Sequence, residues 1–332
     1  MKRVMIIVLL ATVMCGTVFA TGVPEETISI KLGHIRDMEH PTHKAAVRFA
    51  ELVKEASNGR IEVKVFPNSQ LGAPAEMFTQ LQSGDLEMVY GGINTMAWIK
   101  GGEAYEITSM PFLYRDYDHM RRALTADFFK PTQAKAEADT RIKILNIAGD
   151  TAPRGLSANR PIYTVADLKG MKIRTATSET ALRLWNRFGA LPQQIAYADL
   201  YMALKTNVVE AQENGALVVA SAKFFEVQKY YVRTDYIRDI ETFYMSMMLW
   251  NKLSEADRKI LFDASDKAGA YCTELTQAVL QDSYKMLGEK LTIIEPPKLD
   301  IQSFRDSVVG VFDDWDGTKW PTGLMAKIRD LK

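Results

Sequence analysis

The residue pattern predicts an α/β fold arranged in two lobes. Three observations carry this. Strand-like and helix-like runs alternate from Glu26 onward, and the alternation resumes beyond Gly149-Asp150. The 332 residues, 47% hydrophobic, suffice for two ordinary domains. In the first half, residues 28–32 alternate apolar and polar side chains, as a half-buried strand does. His40-Pro41 then opens a helix with Ala45, Ala46, Phe49, Ala50, Leu52 and Val53 along one face, and Asn58-Gly59 closes it. Residues 61–66 form a second alternating strand. Leu71-Gly72-Ala73-Pro74 starts a helix that turns Met77, Phe78 and Leu81 inward, and residues 86–90 give a third strand ended by Gly91-Gly92.

In the second half, residues 142–147, 173–175 and 208–210 read as strands, with helices over 179–188 and 199–206. Residues 254–290 contain no proline and keep helical apolar spacing through Ile260, Leu261, Ala264, Ala268, Tyr271, Leu275, Val279, Leu280 and Leu287. Ser254 and Asp257 resemble a shortened capping box. Unbroken, this helix is roughly 50 Å long at 1.5 Å per residue; Gly269 is the place for a kink. Glu295-Pro296-Pro297 stops it. Phe304, Val308, Val309, Phe312, Trp315 and Trp320 read as a packing helix and tail. The expected division is lobe I over 26–150 plus about 238–280. Lobe II takes 151–237 plus about 281–332, including the C-terminal packing segment.

Lys2 and Arg3 precede an apolar run over 4–14 and then small residues ending in Val18-Phe19-Ala20, the layout of a secretory signal. Residues 1–20 are expected to be removed after Ala20, leaving a periplasmic protein. Cys15 raises a lipoprotein alternative, but Thr12-Val13-Met14 lacks the small residue expected before a lipidated cysteine. No later stretch is long and apolar enough to span a bilayer. Only Cys272 then remains, so no intramolecular disulfide forms. The 41 basic residues balance 41 acidic ones, which argues against nucleic acid as a partner. No coiled-coil seam or repeat is present, and a monomer is expected.

Two segments point to a carboxylate. Asp167-Leu-Lys-Gly-Met-Lys-Ile-Arg174 brings an arginine to the end of a short strand. The run from Tyr201 to Glu213-Asn214 delivers an acid–amide pair. Guanidinium is a planar, permanently charged fork that matches a carboxylate in bidentate geometry. Alone, Arg174 also reads as a surface cation. Enzyme signatures are missing: no Gly-x-Ser-x-Gly, no His-Glu-x-x-His and no phosphate loop occurs, and Gly155-Leu156-Ser157 lacks the second glycine. Glu76, Glu179 and Glu213 are the candidates for a glycosidase-like acid pair, but spacing does not bring them together. His34, His40 and His43 lack the four-residue helical separation of a metal pair, so neither a metal nor another cofactor is expected.

Leu32-Gly33-His34 with His40-Pro41, the run from Asn58-Gly59 to Phe66-Pro67, and Gln70-Leu71-Gly72 come first. The Asp167–Arg174 segment and Leu200 through Asn214 follow in order. Over nearly the whole mature chain this succession resembles the solute receptors of tripartite ATP-independent periplasmic (TRAP) transporters, the DctP-type family. The resemblance implies a two-lobed periplasmic binding protein fold with hinge segments and a long helix spanning the lobes, closing on one organic acid for delivery to a membrane permease. It implies Arg174 as the main carboxylate anchor, Arg154 as the second arginine, Asn214 as the orienting amide and Tyr197 as the covering aromatic. From the first lobe it implies Asp37 and His34 after the first strand, Glu76 on the following helix, and Asn94 after the third strand.

Alternatives stay open at several of these positions. Arg160 rivals Arg154, and Tyr197 also reads as core. Glu76 and Asp37 also read as carboxylates that end helices or turns. Glycine is common in the family where this chain has Asn207 and Ala211; Asn tolerates the left-handed conformation. The polar first-lobe set favours a sugar acid or uronate, because two acids repel a second carboxylate. A C4-dicarboxylate receptor or a ligand-presenting receptor for a sensor kinase comes next, and a secreted enzyme last.

Overall fold

The computed structural model describes residues 27–332, in which eleven strands form two mixed sheets. The signal segment, Cys15 and the cleavage position lie outside the described residues. The strands are β1 (Ile28–Gly33), β2 (Ile61–Phe66), β3 (Met88–Gly92), β4 (Ile142–Ile144), β5 (Arg154–Ala158), β6 (Lys172–Thr175), β7 (Leu191–Gln194), β8 (Ala211–Gly215), β9 (Tyr230–Ile237), β10 (Glu241–Ser246) and β11 (Thr292–Ile294). The first sheet runs β2-β1-β3-β10-β4 and the second β11-β9-β5-β8-β6-β7. In the first, β1 is parallel to both β2 and β3, while β10 lies antiparallel to β3 and β4.

Polar alternation survives where one sheet face meets water, as in β2, and vanishes in β10, where every residue is buried. The helix Pro41–Ala56 covers the first sheet with Ala45, Ala46, Phe49 and Val53. Proline suits its first turn, and the His40 ring accepts from Thr42 N at 3.2 Å, satisfying one free amide. Phe49 stacks on Phe243 at 4.5 Å between centroids, and Tyr90 stacks on the same ring at 3.8 Å. The chain leaves the first sheet after β4, builds β5 to β9 in the second, and returns for β10 across Arg238-Asp239-Ile240 alone.

The long helix Glu255–Lys290 continues unbroken through 36 residues, capped by Ser254 accepting from Asp257 N at 3.1 Å. It packs on the helix Pro41–Ala56 at one end and on Ala216–Ser221 of the second half at the other. Gly269 serves close approach rather than a break. A Cβ there would sit 2.6 Å from Asn146 Nδ2 and 2.7 Å from Ala148 O, on the segment that crosses from one sheet to the other. Tyr271 and Val279 face outward, so the apolar stripe is narrower than its sequence suggests.

In the C-terminal segment Phe304, Phe312, Trp315 and Trp320 are buried, while Val309 is exposed. The segment holds both halves: Asp314 pairs with Arg183, and Ile328 O lies 3.0 Å from His119 Nε2. Two strand assignments need correction. Residues 208–210 are not a strand; Asn207 turns left-handed at φ 58° and pairing starts at Ala211. The strand expected over 142–147 stops at Ile144.

Candidate ligand-binding site

A cavity of about 190 Å³ lies between the two sheets, lined from both. Arg174 is the penultimate residue of β6 and is 4% exposed. Its Nε donates to Ile195 O at 2.8 Å, which fixes the guanidinium plane; among the described residues neither Nη has a hydrogen-bond partner. Burial pushes its pKa down to about 10, with Glu213 opposing that fall and Arg154 and Arg36 adding to it. A desolvated cation with both Nη groups, four N–H donors, unpartnered is the most anion-seeking group in the cavity.

Arg154 opens β5 at a bulge before Leu156. Its Nε and Nη2 grip both oxygens of Glu213 at 2.7 and 2.8 Å, and Nη2 also reaches Asn214 Oδ1 at 3.4 Å. Tyr236 OH donates to Glu213 Oε2 at 2.8 Å. The fork of Arg154 is thus matched inside the protein, and its guanidinium pKa is raised despite burial by the adjacent Glu213 carboxylate. Asn214 donates through Nδ2 to Gln212 Oε1 at 2.6 Å and lines the cavity beside Glu213. Arg160 lies outside the lining, donating to Asp167 O at 2.6 Å.

Arg36, in the loop after β1, stands 3.7 Å from Glu241 Oε1 and holds its guanidinium 5.3 Å from the Tyr197 ring centre. Four buried polar atoms of lining residues have no hydrogen-bond partner among the described residues: Arg36 Nε, Trp98 Nε1, Tyr197 OH and Glu241 Oε2. Buried polar groups are almost always paired, so these four are available to a polar ligand or to water, while Tyr90 OH turns toward Cys272. Asp239 and Glu241 add two acids. Burial raises both carboxyls, Asp239 to about 7, while Arg154 nearby partly opposes this for Asp239 and Arg36 for Glu241.

Of the eight residues expected at the site, Arg174, Arg154, Asn214, Tyr197 and Asn94 line the cavity; Glu76, Asp37 and His34 do not. Glu76 bends back to accept from Ala73 N at 2.8 Å, closing the N-terminus of the helix Pro74–Ser83. Asp37 Oδ1 accepts from Glu39 N and His40 N, holding the turn ahead of the helix Pro41–Ala56. His34 is buried against His43 at 3.1 Å and accepts from Arg36 N, and burial lowers its pKa to about 3. It therefore shapes the loop that carries Arg36. Among the described residues no group of three or more His, Cys, Asp or Glu is placed to hold a metal ion. No helix there is long and apolar enough to cross a membrane. Arg36, Asp239 and Glu241 were not singled out from sequence; an acid such as Glu241 between Ile240 and Phe243 is the one signal that pointed to them.

The family model of bacterial extracellular solute-binding proteins, family 7, matches residues 32–317. The solute-binding protein RD1_1052 of Roseobacter denitrificans is 29% identical over 289 residues, 86% of this chain and 87% of the relative. Its crystal structure, a TRAP periplasmic solute-binding protein with bound L-galactonate, superposes with a TM-score of 0.81 at 27% identity, covering 87% and 96% of the two chains. The sialic acid-binding periplasmic protein SiaP of Vibrio cholerae is 29% identical over 313 residues, 92% of this chain and 94% of that protein. A TRAP periplasmic solute-binding protein of Polaromonas sp. JS666, crystallised with D-erythronate, gives a TM-score of 0.85 at 26% identity, covering 92% and 99%.

Proposed function

The chain belongs to the bacterial extracellular solute-binding proteins, family 7, and on that premise we propose that it captures a sugar acid or uronate between its lobes and delivers it to a TRAP-type permease. Its family and solved relatives are solute-binding proteins rather than enzymes. The observation that carries the reading is Arg174: a buried cation, held by Ile195 O, with both Nη groups unpartnered in the cavity between the sheets. A ligand carboxylate supplies the missing countercharge, Asn214 and Tyr197 orient and cover it, and Asn94 meets it from the opposite sheet. Arg154 contributes its positive field while its fork holds Glu213. The unpartnered donors Trp98 Nε1, Tyr197 OH and Arg36 Nε fit the hydroxyls of a sugar acid, and the relatives solved with L-galactonate and D-erythronate agree in ligand class.

The lobes divide where the chain changes sheets, near 150 and again near 238, and the ligand bridges them, so binding favours the closed arrangement. We place the receptor in the periplasm as a monomer, with residues 1–20 removed. The test is a thermal-shift screen of refolded, ligand-free protein against aldonates, uronates, C4-dicarboxylates, keto acids and amino acids. Ligand at 100 times its Kd stabilises by about 2.7 kcal/mol. A shift with hydroxylated acids is expected; shifts confined to dicarboxylates overturn the substrate class, and none with any acid overturns the receptor reading.

A further inference from the structure

β10 lies antiparallel beside β3 with Glu241 opposite Gly92 and Thr242 opposite Gly91. Asp239 and Glu241, 4% and 2% exposed, turn their carboxylates into the cavity past these two glycines. A Cβ on Gly92 would lie 2.4 Å from Asp239 Oδ2 and 2.8 Å from Asn94 Oδ1; one on Gly91 would lie 4.0 Å from Glu241 Oε2. Any other residue at 92 would displace the acid or the amide, so glycine there makes room for polar groups rather than for a turn.

The acids around the cavity differ in what their own chain gives them. Glu213 is saturated by Arg154 and Tyr236. Asp239 receives Ile240 N on Oδ1 at 2.9 Å, and among the described residues nothing donates to Oδ2. Glu241 receives the Thr42 hydroxyl on Oε1 at 3.3 Å, with Arg36 near that oxygen, and its Oε2 is an orphan. Two buried acceptors are thus left open on one wall. A ligand carboxylate brings no proton to such a wall and is repelled wherever these acids are ionised, whereas a hydroxyl brings a donor.

Resting on the organic-acid reading above, we infer that Asp239 and Glu241 form a hydroxyl-accepting pole that selects hydroxylated monocarboxylates over dicarboxylates. Arg174 then fixes the carboxylate end, and the pole reads the far hydroxyls. The same-sized dicarboxylate meets an acid where the sugar acid meets an acceptor. The receptor thereby separates two ligand classes that share one carboxylate anchor without any change at that anchor.

The test is calorimetric titration of refolded protein with D-erythronate, L-galactonate and succinate, for the parent, Asp239→Asn and Glu241→Gln. The parent should favour the hydroxy acids over succinate by at least a hundredfold. Each variant should narrow that ratio tenfold or more, weakening the hydroxy acids and strengthening succinate. Hydroxy-acid binding with an unchanged ratio in both variants overturns the pole and leaves the organic-acid reading standing; no binding of any acid by the parent overturns both. A parent preference for amino acids, whose ammonium the acids would hold, also overturns it. Should one variant fail to fold by circular dichroism, the other and Gly92→Ala, which crowds Asp239 Oδ2, carry the same comparison.

Discussion

Replacing Arg174 and Arg154 by the same apolar residue should have opposite effects on the ligand-free protein. Arg174 is a buried cation whose pKa falls from 12.5 to about 10. At about 1.4 kcal/mol per unit, its charge costs the empty receptor on the order of 3 kcal/mol. Arg174→Met removes that cost and keeps similar bulk, but it strips Ile195 O of a donor, a loss of about 1–3 kcal/mol. The net is neutral to favourable by about 1–2 kcal/mol, or about 2–5 °C in Tm for a chain of this size. Arg154→Met instead leaves Glu213 buried without its bidentate partner and should cost about 3–5 kcal/mol.

The ligand response separates the two further. Parent protein at 100 times its Kd gains about 2.7 kcal/mol. Loss of a buried carboxylate–guanidinium pair weakens binding by about 3–5 kcal/mol, more than a hundredfold, so Arg174→Met at that ligand concentration gains less than about 0.5 kcal/mol. Differential scanning fluorimetry with and without ligand reads both quantities. A marked fall in the Tm of ligand-free Arg174→Met, or a ligand shift equal to the parent's, would refute the view of Arg174 as an uncompensated cation awaiting an anion.

Three further outcomes are expected. Glu213→Gln made in the Arg154→Met background should recover a large part of the lost stability, since it removes the stranded charge; urea unfolding of the four members of the cycle measures the coupling, and additive losses would deny it. Asp239 has its carboxyl raised from 3.8 to about 7 by burial, so the folded protein holds a proton that the unfolded chain releases between about pH 4 and 7. Its contribution is full below pH 4 and lost as pH rises through 7, up to about 4 kcal/mol, so Asp239→Asn should gain on the parent in Tm between pH 5 and pH 8; an equal difference at both pH values contradicts this. Gly269→Ala should lower Tm despite the better helix former, because its Cβ meets Asn146 and Ala148 O, a crowding worth about 1–3 kcal/mol against about 1 kcal/mol of propensity.

The first two strands were legible because each has one face to spare for polar side chains, and the third because Gly91-Gly92 marks its end. β10 hides itself: Glu241-Thr-Phe-Tyr-Met-Ser246 is wholly buried, shows no alternation, and follows β9 with no glycine or proline to announce the change of sheet. β7 contains Pro192 and sits at a sheet edge, where proline is tolerated and pattern is weak. Asn207 is left-handed, as a residue standing in for glycine should be, yet the strand expected over residues 208–210 begins only after them, at Ala211. At the site, Arg174 could be singled out because an arginine near the end of a short strand is visible in sequence, whereas Arg154, Tyr197 and the role of Asn214 came only from the family resemblance; all four residues line the cavity. Glu76 and Asp37 were ambiguous for a physical reason: a carboxylate beside a helix start serves its free amides as readily as it serves a ligand, and here the amides win. Arg36, one residue before Asp37, sits in a loop whose orientation is set by His34 and by packing that no spacing rule reports.

The distribution of charge explains why closure should wait for ligand. Two of the cavity's arginines find carboxylates on their own side: Arg154 holds Glu213 across neighbouring strands of the second sheet, and Arg36 lies against Glu241 of the first. Arg174 has none, and joining the lobes brings Arg36 over Tyr197 and adds a second cation to its surroundings. Contacts such as the Thr180 hydroxyl on Glu106 favour the closed arrangement, while the unmatched charge opposes it by at most on the order of 3 kcal/mol, the whole cost of burying Arg174 relative to water. An anion removes that opposition only when the cavity is shut around it. A difference of this size moves an open–closed equilibrium by about two orders of magnitude. If Arg174 anchors the acid as proposed, the same unmatched arginine links affinity for the acid to closure of the lobes.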